Sequence, residues 1–218
     1  MPLIGFSAAP WTLFYYMVGG SSKKGQEEGE RWLREYPEES ARLLDALQII
    51  VVEYLSAQAD EGAHILQLFE AMGEFITPES FQAHAFPRMA AIAAELKARH
   101  PDVPLMGFPR GAAYSLKQLG ECGFDVLTLD NTADLATVRT TPPPVCLQGA
   151  FDPKLLQRDL GGSEEGVEAA VGEMLDTLGS QKLIANLREG LCGKEDPALV
   201  NAFVEAVHAY SPVASKAK

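Results

Sequence analysis

Six short runs that are apolar along their whole length constrain this chain most: residues 3–6, 64–69, 104–108, 125–129, 145–148 and 182–187. Because they do not alternate polar with apolar residues, they read as strands buried on both faces of a parallel sheet. Parallel neighbours need a long crossover, and the stretches between the runs carry helical signals. Over residues 40–60, Leu43, Leu44, Leu47, Ile50, Val51, Tyr54 and Leu55 form one apolar stripe. Thr77-Pro78-Glu79 supplies a cap, a proline at the first helical position and an early acid, opening a helix toward Arg99. Ser163 starts another, with Val167, Val171, Met174, Leu175 and Leu178 inward and Gly179 as its stop. Asp196-Pro197 opens the last.

Six βα units in succession predict an α/β protein with parallel strands. Both an open doubly wound sheet and most of an eight-stranded barrel fit that pattern. A length of 218 residues suits one domain, and 47% apolar content excludes a disordered chain or a fibre. With 18 basic against 30 acidic side chains the net charge is −12, which argues against nucleic-acid or anionic-membrane partners. The most apolar helical stretch is broken by Asp45, Gln48 and Glu53, far short of the ~20 residues of a membrane span. Met1-Pro2 runs straight into the first strand-like run, so no targeting segment is expected there, and the chain reads as beginning inside a domain.

Motif searches return little. No G-x-G-x-x-G follows a strand, and neither a P-loop nor a C-x-x-C is present. Gly19-Gly20-Ser21-Ser22-Lys23-Lys24 reads as a loop between helices rather than a phosphate cradle. His64, His84, His100 and His208 share no metal-ligand spacing with one another or with the three cysteines, so no metal is expected. Cys146 and Cys192 read as small buried hydrophobes, and three scattered cysteines fit a reducing compartment. Chemistry in parallel α/β folds sits at the carboxyl ends of strands. There this acidic chain places two cations, Arg110 and Arg188. They suit carboxylate or phosphate recognition, or else are surface arginines in solvent or ion pairs.

The segment from Gly5-Phe6-Ser7-Ala8-Ala9-Pro10-Trp11-Thr12-Leu13 through Tyr16 to Gly20 resembles an internal signature of the uroporphyrinogen decarboxylase family. That signature reads G-F-small-small-x-P-aromatic-T-L-x-x-Y-x-x-E-G, and only Gly19 departs from it. The likeness continues in register through Arg31-Trp32-Leu33, Gln67-Leu68-Phe69-Glu70, Leu129-Asp130, Leu147-Gln148-Gly149, Phe151-Asp152-Pro153 and Ile184-Ala185-Asn186-Leu187. It covers essentially the whole chain.

The resemblance implies a TIM (β/α)8-barrel family fold, with strands three to eight present, about six of eight βα units. Residues 1–218 are then a single, N-terminally truncated domain. It implies a cofactor-independent carboxy-lyase that removes CO2 from the four acetate side chains of uroporphyrinogen III, giving coproporphyrinogen III. The family's carboxylate-holding Arg pair and its catalytic Asp fall in the segment expected before Leu3, so no catalytic residue is assigned here. Tyr16 matches the family's substrate-pocket tyrosine, with Phe69, Arg110 and Arg188 as further substrate-binding candidates. Two pocket positions differ: the family's Ser is Ala71 and its His is Glu189. Ala150 and Asn131 also stand where the family usually has Asn and Trp. The related zinc methyltransferases carry an H-x-C where this chain reads Pro144-Val145-Cys146, which disfavours that branch.

The function expected is therefore uroporphyrinogen decarboxylation in porphyrin and heme biosynthesis. The alternative is a catalytically inactive, truncated or diverged paralogue that binds a tetrapyrrole or a partner subunit. Partners implied are the tetrapyrrole substrate and a homodimer mate or a full-length subunit. The expected compartment is the cytoplasm, with a plastid as the other option.

Overall fold

A computed structural model describes residues 2–140 and 145–210. The described chain divides into two compact units, one reaching Thr128 and including Val145, the other built from Leu129 onward.

In the first unit four strands pair in parallel in chain order: β1 (Ile4–Ala8), β2 (Ile65–Glu70), β3 (Leu105–Pro109) and β4 (Val126–Thr128). Gly5 lies opposite Leu66, Leu68 opposite Gly107, and Gly107 opposite Leu127. Helices α1 (Pro10–Met17), α2 (Glu28–Glu35) and α3 (Pro37–Asp60) connect β1 to β2. The helix expected from Thr77 to Arg99 forms as α4 (Pro78–Ser80), a π turn (Phe81–Ala85) and α5 (Phe86–Arg99). Pro87 explains the interruption, since it has no N–H to donate into the preceding turn. Helix α6 (Leu116–Gly120) leads into β4.

The second unit contains α7 (Leu135–Thr140), β5 (Cys146–Phe151), α8 (Glu164–Leu178), β6 (Leu183–Leu187) and α9 (Pro197–Ala209). β5 and β6 are parallel, running from Leu147 opposite Leu183 to Phe151 opposite Leu187. All six strand expectations and the βα alternation are thus realised, apart from one to three residues at the ends.

The cap signals act as read. Thr77 Oγ1 accepts from Ser80 N at 3.2 Å, Ser163 Oγ from Gly166 N at 3.1 Å, and Asp196 Oδ1 from Ala198 N at 2.8 Å. Gly179 ends α8 at a φ of 77°, a conformation that favours glycine.

One expectation needs correcting. Burial on both faces holds for β3, β4 and β5, but β1 and β2 alternate and β6 is half-exposed. Helix α3 covers only one face of β1. A Cβ at Gly5 would stand 2.9 Å from Gln58 and 3.0 Å from Leu66, whereas Ile4 and Phe6 are 45% and 57% exposed. An apolar run therefore reports strand character, while the layers packed on the strand decide which face is covered.

The core of the first unit centres on Trp11, Phe14 and Tyr15 with Leu44, Leu55, Phe81, Met89 and Ile92, all fully buried. Gly29 lets α2 approach α1, because a Cβ there would lie 2.5 Å from the Trp11 ring. In the second unit Val167, Leu178, Leu156 and Leu199 are fully buried, and the Phe151 and Phe203 rings pack 4.8 Å apart. No helix among the described residues is long and apolar enough to cross a membrane.

Candidate functional site

The strands of the first unit end at one rim, and Glu70 organises it. Glu70 closes β2 with its side chain fully buried. Thr12 Oγ1 donates a short hydrogen bond to Glu70 Oε1, Met72 N donates to the same oxygen at 3.2 Å, and Oε2 has no partner among the described residues. Burial pushes the Glu70 carboxyl up to about 8 against these opposing hydrogen bonds, so it is largely neutral at pH 7. Thr12 Oγ1 also accepts from Ala71 N at 2.8 Å, and Trp11 Nε1 donates to Met72 O at 3.0 Å. Trp11 and Thr12, at the start of α1, thus fasten the loop that follows β2.

Arg110 is tied to the same loop. Its N–H donates to Glu70 O at 2.9 Å, its carbonyl accepts from Gly73 N at 3.2 Å, and its Nη1 donates to Ala71 O at 3.4 Å. Gly73 has no room for a side chain, since a Cβ would lie 2.5 Å from Arg110 O. Phe69, half-buried on β2, packs its ring 6.2 Å from that of Phe6. Burial foremost, then the charge of Glu70, pushes the Tyr114 hydroxyl up to about 12. Tyr16 is half-exposed on α1, edge-on to Tyr15 at 6.1 Å, and Tyr15 stacks on Phe75 at 5.5 Å. The structure therefore brings Phe69, Ala71 and Arg110 together, with Tyr16 linked to that rim through Tyr15 and Phe75.

In the second unit Arg188 and Glu189 follow β6. Arg188 Nη2 lies 3.6 Å from Asp152 Oδ2, its buried Nε has no partner among the described residues, and its backbone N–H donates to Phe151 O at 2.9 Å. Glu189 is half-buried and makes no ion pair among the described residues, so the cation beside it answers to Asp152 instead. A 320 Å³ cavity opens here, lined by Arg188, Asp152, Asp134, Glu173, Met174 and Leu155 among others. It offers one guanidinium among three carboxylates.

Next along the chain, the Glu195 carboxylate accepts from Cys192 N, Gly193 N and Lys194 N at 2.9–3.2 Å and from Gln157 Nε2 at 3.0 Å. Partial burial pushes this acid up, but hydrogen bonds led by the Cys192 thiol outweigh it and hold the acid at about 2. Cys192 is thus an exposed hydrogen-bonding thiol and Cys146 is only half-buried, not the buried hydrophobes expected.

The remaining motif residues have structural places. Ser21 ties the Gly19–Lys24 segment into a turn, accepting from Lys24 N and donating to Lys24 O, both at 2.9 Å. His64 closes the start of the β1–β2 pair, its Nδ1 accepting from Leu3 N at 3.0 Å. No group of three His, Cys, Asp or Glu side chains among the described residues is placed to hold a metal. Sequence reasoning missed Thr12, Glu70 and Glu195 as organisers. The signal for the first two was present, in the T of the internal signature and the acid closing β2.

Comparison with known proteins follows the same lines. The family model described as Uroporphyrinogen decarboxylase (URO-D) matches residues 1–210. The Uroporphyrinogen decarboxylase of Salinibacter ruber is 41% identical over 212 residues, covering 97% of this chain and 59% of that protein. The Homo sapiens protein of the same name is 38% identical over 217 residues, covering 97% of this chain and 58% of its own length. The chain thus spans a little under three fifths of these relatives. Among solved structures, a methyltransferase from Methanosarcina mazei shares the fold at TM-score 0.76 and 17% identity, over 95% of this chain and 58% of that one. A dihydropteroate synthase from Anaplasma phagocytophilum does so at 0.54 and 12%, over 94% and 73%. These likenesses agree with six parallel strands belonging to the TIM-barrel class of α/β folds. The chain belongs to the uroporphyrinogen decarboxylase family.

Proposed function

We propose that this chain serves the decarboxylation of uroporphyrinogen III to coproporphyrinogen III, as a carboxy-lyase that needs neither metal nor organic cofactor. The observation that carries this reading is the unbroken family match over residues 1–210. Cytoplasmic residence, and a homodimer or association with a longer subunit, belong to the same proposal.

The substrate is a polycarboxylate, and some residues described above suit carboxylate or ring binding. Arg110 is exposed, and among the described residues its side chain makes one long hydrogen bond, to a carbonyl, so its remaining N–H groups suit pairing with a substrate carboxylate. Phe69 offers an apolar ring for the macrocycle, and Tyr16 a hydroxyl with no described partner. Arg188 is the second carboxylate candidate, its charge partly offset by Asp152. Ala71 contributes no hydroxyl, and Glu189 adds an anion that weakens carboxylate binding nearby. These residues bind and orient. The charge-matching Asp that the family resemblance implies is not assigned within residues 1–218.

The test is anaerobic incubation of the 218-residue chain with uroporphyrinogen III, followed by separation of the oxidised porphyrins. Stepwise appearance of seven- to four-carboxyl products supports the reading. A profile identical to the protein-free control, at stoichiometric protein, overturns it.

A further inference from the structure

Two loops meet at one end of the first unit, and a single buried carboxyl supports both. The loops after β2 and after β3 lie back to back. A Cβ at Gly73 would stand 2.5 Å from Arg110 O, and one at Gly111 2.5 Å from Glu74 N. Two backbone hydrogen bonds join them, from Arg110 N to Glu70 O and from Gly73 N to Arg110 O. The main chain of Arg110 therefore follows residues 71–73 wherever they go. Those residues rest on Glu70. Its Oε1 accepts from Met72 N and from Thr12 Oγ1, and the Thr12 oxygen in turn accepts from Ala71 N. The consecutive amides of Ala71 and Met72 are thus fixed through one carboxyl oxygen and the hydroxyl bound to it. This places the Ala71 carbonyl, which accepts from Arg110 Nη1 at 3.4 Å and so turns the exposed guanidinium. The guanidinium is held by the loop without holding it.

We infer that Glu70 is a positioning residue for ligand binding: through Thr12, Ala71 and Met72 it aims the Arg110 guanidinium at a ligand carboxylate. This role rests on the proposed binding of a polycarboxylate by Arg110 and names the residue that makes such binding possible. A fully buried carboxyl whose Oε2 has no partner among the described residues is a costly way to fasten a loop. Its neutral form explains the choice. It accepts the two hydrogen bonds without setting an anion beside the cation it aims. Once ionised, it would draw the guanidinium toward itself, in competition with the ligand, and would leave a buried charge short of donors. Burial pushes the Glu70 carboxyl up to about 8, so the neutral form predominates at pH 7. The other charged or titratable groups here are Tyr15 on α1, Glu74 in the same loop, and Arg110 and Tyr114 after β3. Glu30 of α2 and Glu79 of α4 join through Tyr114, and β1 brings none. The Tyr15 hydroxyl donates to Ser21 O at 3.2 Å, and that of Tyr114, pushed up to about 12, keeps its proton at pH 9.

The experiment titrates the 218-residue chain with uroporphyrin III, the oxidised and stable form of the proposed substrate, by quenching of Trp11 and Trp32 fluorescence. The quantity read is the Arg110 factor, the Kd of an Arg110→Ala chain divided by the Kd of its parent. At pH 7 the wild-type factor should be about tenfold or more, as expected for a hydrogen bond between charged groups. In Thr12→Val and Glu70→Ala backgrounds it should fall to about twofold or less, because contacts that act through one another are not additive. In Glu70→Gln, which keeps a neutral acceptor for Thr12 and Met72, it should persist. Raising the pH to 9 should shrink the factor in the wild-type chain but not in Glu70→Gln, a contrast that lost packing does not produce. This pH arm uses no variant that opens the core, so it decides the matter even where Glu70→Ala fails to fold. An undiminished factor in folded Thr12→Val, or the same pH dependence in Glu70→Gln, overturns the positioning role and leaves Arg110 in the site. A wild-type factor near one overturns it too, by removing Arg110 from the site, while the product assay decides decarboxylation separately.

Discussion

Glu70 carries the most distinctive chemistry of any single residue in the chain. In the folded state its carboxyl titrates at about 8, against an ordinary value of 4.5. Between those two pH values the folded protein holds a proton that the unfolded chain has released. Stability therefore falls as pH rises through that window. Urea unfolding at pH 5, 6, 7 and 8 should show a decline of a few kcal/mol, on the order of 1.4 kcal/mol for each pH step of one within that window. Glu70→Gln keeps a neutral hydrogen-bonding group and should flatten that dependence; an unchanged slope would assign it to another residue. Thr12 bridges the same carboxyl to the β2 loop. Thr12→Val should cost about 1–3 kcal/mol through the unpaired groups it leaves, with Thr12→Ser recovering most of the loss in thermal melts. Tyr16 and Arg110 stand apart from this scaffold. Tyr16→Phe and Arg110→Ala should weaken uroporphyrinogen binding, read by fluorescence titration, without lowering the melting temperature. Unchanged affinity removes either residue from the site.

At the scale of elements, α1 has two jobs that its sequence joins in adjacent residues. Trp11, Phe14 and Tyr15 fill the core, while Trp11 Nε1 and Thr12 Oγ1 reach out to the loop after β2. The close contact of α1 with α2 depends on Gly29. Gly29→Ala would place a methyl carbon 2.5 Å from the Trp11 ring and should destabilise the protein by about 1–3 kcal/mol, measured by denaturant titration. Helix limits were legible because caps are local: Thr77, Ser163 and Asp196 each accept from a backbone N–H two or three residues on. The π turn before α5 was less legible. The stretch from Thr77 to Arg99 read as one helix, and the break before α5 lies where Pro87 has no N–H to donate.

At the scale of the whole molecule the net charge of −12 opposes the approach of a polycarboxylate. Raising ionic strength from about 0.01 to 0.15 M shortens the screening length from about 30 to 8 Å and should therefore speed uroporphyrinogen association in stopped-flow quenching. Slower association instead would show that local positive charge where the substrate binds outweighs the net charge.

What the amino-acid order determined by itself was whatever depends on near neighbours along the chain. Six apolar runs became six parallel strands, their crossover helices started at the marked caps, and the signature from Gly5 to Gly20 identified the family. Tertiary structure alone decided which faces are covered and which charges meet. Glu70 is pushed toward its neutral form because the surrounding core takes it out of water, against the hydrogen bond from Thr12, 58 residues away. Arg188 lies by Asp152 rather than its neighbour Glu189 because β5 and β6 end side by side. β1, apolar like the inner strands, keeps a face in solvent because α3 packs on only one of its sides. Burial and pairing are properties of residues distant in sequence, so a local pattern can specify an element without specifying its surroundings.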